Sequence, residues 1–251
     1  MLEFDTVNLS FGGSQVLEQV SFDVHKEEIL AIIGPNGAGK TCILNCISGY
    51  YRPQHGQIIY KGKDLIHIPI HKIATNGIAR TFQNVELFHE LSTIENIMLG
   101  RGQFIKNSIL AQSIYFGWSQ KTEIENRKVA EDILDFLELK PYRKKNVGLL
   151  PYGMQKRIQL GQALAMEPEL LLLDEPMAGM NLEEKEDIVR FILDVHEETK
   201  TSIILIEHDM GVVMDIADRI IVMDFGIKIS EGDPETVKSD PKVIKAYLGK
   251  E

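Results

Sequence analysis

The chain has 251 residues, 44% of them hydrophobic and 25% charged, enough for one sizeable core or a core with a smaller subdomain and too apolar for wholesale disorder. A formal net charge of −10 speaks against nucleic acid or an anionic membrane surface as a direct partner, and the one dense basic cluster, Arg143-Lys144-Lys145, is too small to reverse that. No apolar run approaches a membrane span, "MLEFDTVNLSF" has no secretory-leader pattern, and Cys42 and Cys46, one helical turn apart, read as small buried thiols in a reducing compartment.

In chain order, Leu2 to Leu9 and Val16 to Val24 read as strands, and Glu28 to Ile33, "EILAII", as a buried strand running into a glycine loop. Gln57 to Tyr60 is a further short strand, so the first part is a β-rich layer around a strand–loop–helix unit. From about Thr93 to Leu149 the period becomes helical: "TIENIMLG" and "VAEDILDFLEL" carry apolar residues at helical spacing, separated by an aromatic-bearing stretch around Tyr115 to Trp118. Strict alternation follows, with strands at Glu169 to Leu173, Ser202 to Glu207 and Arg219 to Met223, and helices at Leu182 to about Glu198 and Met210 to Ala217. Alternation of this kind predicts right-handed crossovers and a mainly parallel sheet. Asp233-Pro234 and Asp240-Pro241 each pair an N-cap with proline at the first helical position.

Three strand ends carry chemistry. "GPNGAGKT", Gly34 to Thr41, matches G-x-x-x-x-G-K-[ST] between a buried strand and an amphipathic helix. There the glycines Gly34, Gly37 and Gly39, in a loop that also holds Pro35, Asn36 and Ala38, let backbone N–H groups converge on phosphate, Lys40 can reach the β- and γ-phosphates, and the Thr41 hydroxyl can hold Mg²⁺. "ELLLLDEP" ends an apolar strand in Asp174 and Glu175, on the sheet edge where ligands of parallel sheets sit. Asp174 can bind Mg²⁺ through water; Glu175 points elsewhere and can orient or deprotonate an attacking water. "SIILIEHD" puts His208 on the same edge, where its ring can donate to a γ-phosphate. Gln83, in "RTFQNVELF", says little by itself. Phe11, in "LSFGG", can stack on a base or be a buried strand aromatic, and pattern alone favours burial. "LPYGMQKRIQ", Leu150 to Gln159, places proline, tyrosine and glycine at the mouth of a helix, a potential anion site.

These elements in this order resemble the ATP-binding subunit of ABC transporters, over essentially the whole chain. The resemblance implies a P-loop NTPase α/β fold with a mainly parallel sheet core, an N-terminal antiparallel β subdomain and an inserted helical subdomain. Residues 1–91 and 155–251 would form the core with its β subdomain, and about 92–154 the helical subdomain carrying the signature motif. It assigns Phe11 to the adenine-stacking aromatic, Gly34 to Thr41 to the Walker A loop, Gln83 to the Q-loop and a metal contact, Asp174 and Glu175 to Walker B and the catalytic glutamate, and His208 to the switch histidine.

Where the family's signature motif reads LSGGQ, this chain reads Leu150, Pro151, Tyr152, Gly153, Met154, with the glutamine displaced to Gln155. Pro151 supplies no N–H, and what survives is Gly153 and the helix mouth, which touches the γ-phosphate of ATP held by the partner subunit. The L-P-Y-G form, "GIARTFQNVELFHELSTIENIMLG", "AGMN", "IEHDM" and the ending "DPKVIKAYLG" are similar to the LivG-like ATPase of branched-chain amino-acid importers. Cys42 replaces a hydroxyl residue near the α-phosphate, and Asn181 replaces the D-loop aspartate.

The resemblance implies Mg·ATP hydrolysis, a head-to-tail pair with a second, LivF-like ATPase, two transmembrane permeases, an external solute-binding protein and a peripheral place on the cytoplasmic face of the inner membrane. A urea, amide or other polar-solute importer is the nearest alternative. A non-transport ABC ATPase, or a nucleotide sensor without turnover, is a more distant one.

Overall fold

The computed structural model describes residues 1–104 and 118–248, so Gly249 of the chain's ending and most of the aromatic-bearing stretch around Tyr115 lie outside the described residues. The chain divides into two compact units. One comprises Met1–Arg80, Glu169–Pro176 and Val189–Glu251; the other comprises Thr81–Pro168 and Met177–Ile188. The second unit takes in more chain than residues 92–154.

The first unit is built on two sheets. Strands β1 (Leu2–Phe11), β2 (Ser14–Val24), β4 (His55–Tyr60) and β5 (Lys63–Asp64) form an antiparallel sheet in the order β2-β1-β4-β5. The larger sheet runs β10-β9-β3-β8-β7-β6, from β3 (Ile29–Ile33), β6 (Ile78–Thr81), β7 (Leu170–Asp174), β8 (Ser202–Ile206), β9 (Arg219–Asp224) and β10 (Ile227–Gly232). Pairings β3 to β8, β3 to β9 and β7 to β8 are parallel.

Strands β3, β7 and β8 are buried along their whole length because both sheet faces are covered, which is why they read as continuous apolar runs. Leu30, Ile32, Leu170, Leu172, Ile204 and Ile206 pack with the antiparallel sheet and helix α1 (Lys40–Ile47). Ala31, Ile33, Ile220 and Val222 face the other way, against Val213 of α7 (Met210–Ile216), Val237 of α8 (Pro234–Ser239) and Val243 of α9 (Pro241–Leu248).

Three strands were not predicted. β5 has only two residues. β6 has four residues, too few for a periodic signal. β10 returns antiparallel from β9 through the two-residue turn Phe225-Gly226, with Asp224 opposite Ile227 and φ values of 43° and 80°. Positive φ at both turn residues is the type I′ arrangement that normally selects Asn-Gly, so phenylalanine there conceals the hairpin. The short α2 (Ile70–Ile73) was also unanticipated.

In the second unit, α3 (Thr93–Gly100), α4 (Trp118–Phe136) and α5 (Tyr152–Leu164) pack on one another. Gly100 makes this possible, since a Cβ there would stand 2.1 Å from the Gln162 carbonyl oxygen. Helix α6 (Leu182–Thr199) begins in this unit and ends in the first.

Candidate functional site

One rung of the parallel sheet organises the first unit's chemistry. Ile32 of β3 pairs with Ile206 of β8, and Ile206 pairs with Asp174 of β7. The glycine loop starts two residues past Ile32, Glu175 lies one past Asp174, and His208 lies two past Ile206. In-register parallel pairing therefore delivers all three segments to one carboxyl edge.

The loop needs its glycines. Gly34 has φ 144°, and a Cβ on it would lie 2.0 Å from the Met223 carbonyl oxygen. Gly39, the N-cap of α1, has φ 97° and would place a Cβ 2.9 Å from the Val16 carbonyl oxygen. No side chain caps α1 and no acidic residue stands in its first turn, so its leading N–H groups keep their donor capacity. Lys40 folds back over the loop, its Nζ donating to Gly34 O at 2.7 Å and Pro35 O at 3.0 Å. Burial lowers its pKa, opposed by the Glu175 and Asp174 carboxylates.

Asp174 is buried and its Oδ1 accepts from the Thr41 hydroxyl at 3.3 Å. Glu175, with φ 48°, occupies the left-handed region, uncommon for a side chain of its size. Its N–H donates to Ile206 O at 2.9 Å. This turn separates its carboxylate from that of Asp174, and Glu175 Oε1 lies 2.5 Å from His208 Nε2. Cys42 is half-buried and Cys46 buried; burial raises both thiol pKa values, that of Cys46 to about 12, as inert packing thiols require.

Phe11 corrects the expectation of burial from pattern alone. It is 46% exposed at the end of β1, with its ring edge-on to Tyr51 at 4.9 Å.

The remaining candidates, Gln83, Pro151, Tyr152 and Gly153, belong to the second unit. The Gln83 carbonyl accepts from Lys156 Nζ at 2.6 Å. Pro151 is the N-cap of α5, and Tyr152 and Gly153 open that helix. The Tyr152 ring covers Gly179, which has φ 77°, with its Cε1 3.2 Å from where a Cβ would stand. Asn181, in place of an aspartate, caps α6 reciprocally: Glu184 N–H donates to Asn181 Oδ1 at 2.9 Å, and Asn181 N–H donates to Glu184 at 3.1 Å.

Two residues of these clusters escaped sequence reasoning. Glu184 was legible in principle as the fourth residue of an N-x-x-E capping box. Arg80, whose Nη2 donates to Asp174 Oδ2 at 2.9 Å, carried no signal beyond its place three residues before Gln83.

Comparison with known proteins gives the same picture over the full length. The ABC transporter family model matches residues 17–178, and a model described as branched-chain amino acid ATP-binding cassette transporter matches residues 228–251. The chain is 36% identical to the high-affinity branched-chain amino acid transport ATP-binding protein BraF of Pseudomonas aeruginosa, across 99% of this chain and 98% of the relative. It is 35% identical to LivG of Escherichia coli over the same shares. A nucleotide-free ATP-binding cassette from an ABC transporter superposes with a TM-score of 0.85 at 31% identity, covering 100% of this chain and 99% of that one.

Proposed function

Because this chain belongs to the ABC transporter family, we propose that it is the ATP-hydrolysing subunit of an importer for branched-chain amino acids. It acts at the cytoplasmic face of the inner membrane, docked on two permease subunits and paired head-to-tail with a second, LivF-like ATPase. An external solute-binding protein delivers the cargo. No helix among the described residues is long and apolar enough to cross a membrane.

The observation that carries the reading is the convergence of Lys40, Thr41, Asp174, Glu175 and His208 beyond the Ile32–Ile206–Asp174 rung. The N-terminus of α1 and Lys40 hold the phosphates of ATP, and Phe11 stacks on the adenine. Magnesium fits the donor set: a hydroxyl and a carboxylate oxygen 3.3 Å apart are hard ligands, and this ion typically takes one or two carboxylates plus substrate phosphates. Thr41 and Asp174 would hold it, and bound there it would neutralise charge developing on the phosphates.

Glu175 takes a proton from the attacking water. With its proton on Nε2, His208 donates to Glu175 Oε1 at 2.5 Å and keeps that carboxylate aimed. Gly153, flanked by Pro151 and Tyr152 at the mouth of α5, meets the γ-phosphate bound by the partner ATPase. Binding that favours the closed pair couples nucleotide to motion of the permeases.

The test is a mild-detergent pull-down of the tagged chain from its native cells, with mass spectrometry of the retained proteins. Two multispanning permeases and a second, different ATPase are expected, and uptake by the reconstituted complex then identifies a branched-chain or a polar solute. Retention of soluble or nucleic-acid-associated proteins alone would overturn the transport reading.

A further inference from the structure

Asp174 is 1% exposed, and a carboxylate that deep must be paired. Its pairing is divided between its two oxygens: Oδ1 faces the Thr41 hydroxyl at 3.3 Å, while Oδ2 accepts from Arg80 Nη2 at 2.9 Å. Arg80 comes from β6, and its side chain is only 7% exposed. The other arm of the same guanidinium, Nη1, donates to Asn45 Oδ1 at 2.7 Å and to Ser48 Oγ at 2.9 Å. Asn45 lies on α1 and Ser48 is its C-cap. One planar group therefore ties the end of β7 to the far end of the phosphate-loop helix, all within the first unit.

We propose that Arg80 is a positioning residue for the metal: by occupying Asp174 Oδ2 and anchoring itself on Asn45 and Ser48, it presents Oδ1 alone, beside Thr41, to the water shell of nucleotide-bound magnesium. This rests on the reading of Thr41 and Asp174 as the magnesium site. A carboxylate with both oxygens unconstrained would have to lose torsional freedom each time the metal enters; here that cost is met on folding. Lysine cannot substitute fully, because an ammonium is a point charge and not a rigid fork able to hold Asp174, Asn45 and Ser48 together.

The test uses the full chain with ADP and Mn²⁺ as the probe, bound metal being read by electron paramagnetic resonance. Nucleotide affinity is measured separately in EDTA with a fluorescent ATP analogue. Arg80→Gln is expected to raise the Mn²⁺ concentration for half-saturation by about 10- to 100-fold, the usual effect of removing a group that orients a ligand. Arg80→Lys should raise it less, and metal-free nucleotide affinity should not change.

Asp174→Asn should raise the half-saturation concentration as well, and adding Arg80→Gln to it should produce no further rise, since Arg80 acts through that carboxylate. An unchanged half-saturation in Arg80→Gln, or an effect that persists in full in the Asp174→Asn background, overturns the proposal. If Asp174→Asn itself leaves Mn²⁺ binding unchanged, the magnesium-site reading fails instead. Should Arg80→Gln not fold, Asn45→Ala combined with Ser48→Ala keeps the ion pair but frees the guanidinium. A smaller rise in the same direction is then expected, and no rise overturns the proposal.

Discussion

Glu184 lies directly over Gly153: a Cβ built on the glycine would stand 2.3 Å from Glu184 Oε1. Moving the carboxylate aside breaks the hydrogen bond it accepts from the Asn181 N–H at 3.1 Å, which caps α6. The helix mouth of α5 and the cap of α6 are thus one packed unit, and glycine is the residue that fits between them. Gly153→Ala is expected to displace Glu184, lower stability by about 1 kcal/mol through the lost cap, and abolish partner-dependent hydrolysis. Glu184→Ala in the same chain should restore room and part of the activity, as measured by phosphate release. Full activity in Gly153→Ala alone would show that the close fit is irrelevant to turnover.

Glu175→Gln preserves shape but removes the proton acceptor beside His208 Nε2. Hydrolysis should fall by roughly 100-fold or more, in the range typical of a lost general base, while ATP binding is retained and the paired, closed form accumulates. Size-exclusion chromatography with ATP, alongside a phosphate-release assay, checks both halves. Undiminished turnover would remove Glu175 from the role of base.

Glu95 reaches back from α3 to accept from the Ser92 N–H at 2.8 Å and the Ser92 hydroxyl at 2.5 Å. These bonds hold its pKa below the usual carboxylate value. A depressed folded pKa contributes stability that is present above the unfolded pKa and lost as pH falls through the folded one. Glu95→Gln should therefore melt below the parent chain at neutral pH, with the gap closing in the acid range below about pH 4.3. A gap that does not depend on pH would assign the effect to packing.

Much of the candidate site lies in local pattern. A glycine loop between a buried strand and a helix, a carboxylate pair after four leucines, and a histidine after "SIILIE" are each readable because strand ends and phosphate loops impose residue types on neighbours in the chain. The same holds for the long helices and buried strands, whose apolar spacing follows from facing a core. Where local chemistry is atypical, legibility fails: Phe225 sits in a turn that normally selects asparagine, and β6 is too short to carry a period.

By itself the sequence determined the family, the order of the longer elements and the residue types that stand at the ends of the buried strands, since these depend on contacts within a few positions. Only the tertiary structure decided that Asp174 shares its oxygens between Thr41 and Arg80, that Glu175 turns through a left-handed backbone onto His208, and that Glu184 roofs Gly153. Each joins residues 30 or more positions apart. Such pairings are set by strand register and helix packing, which no local spacing encodes.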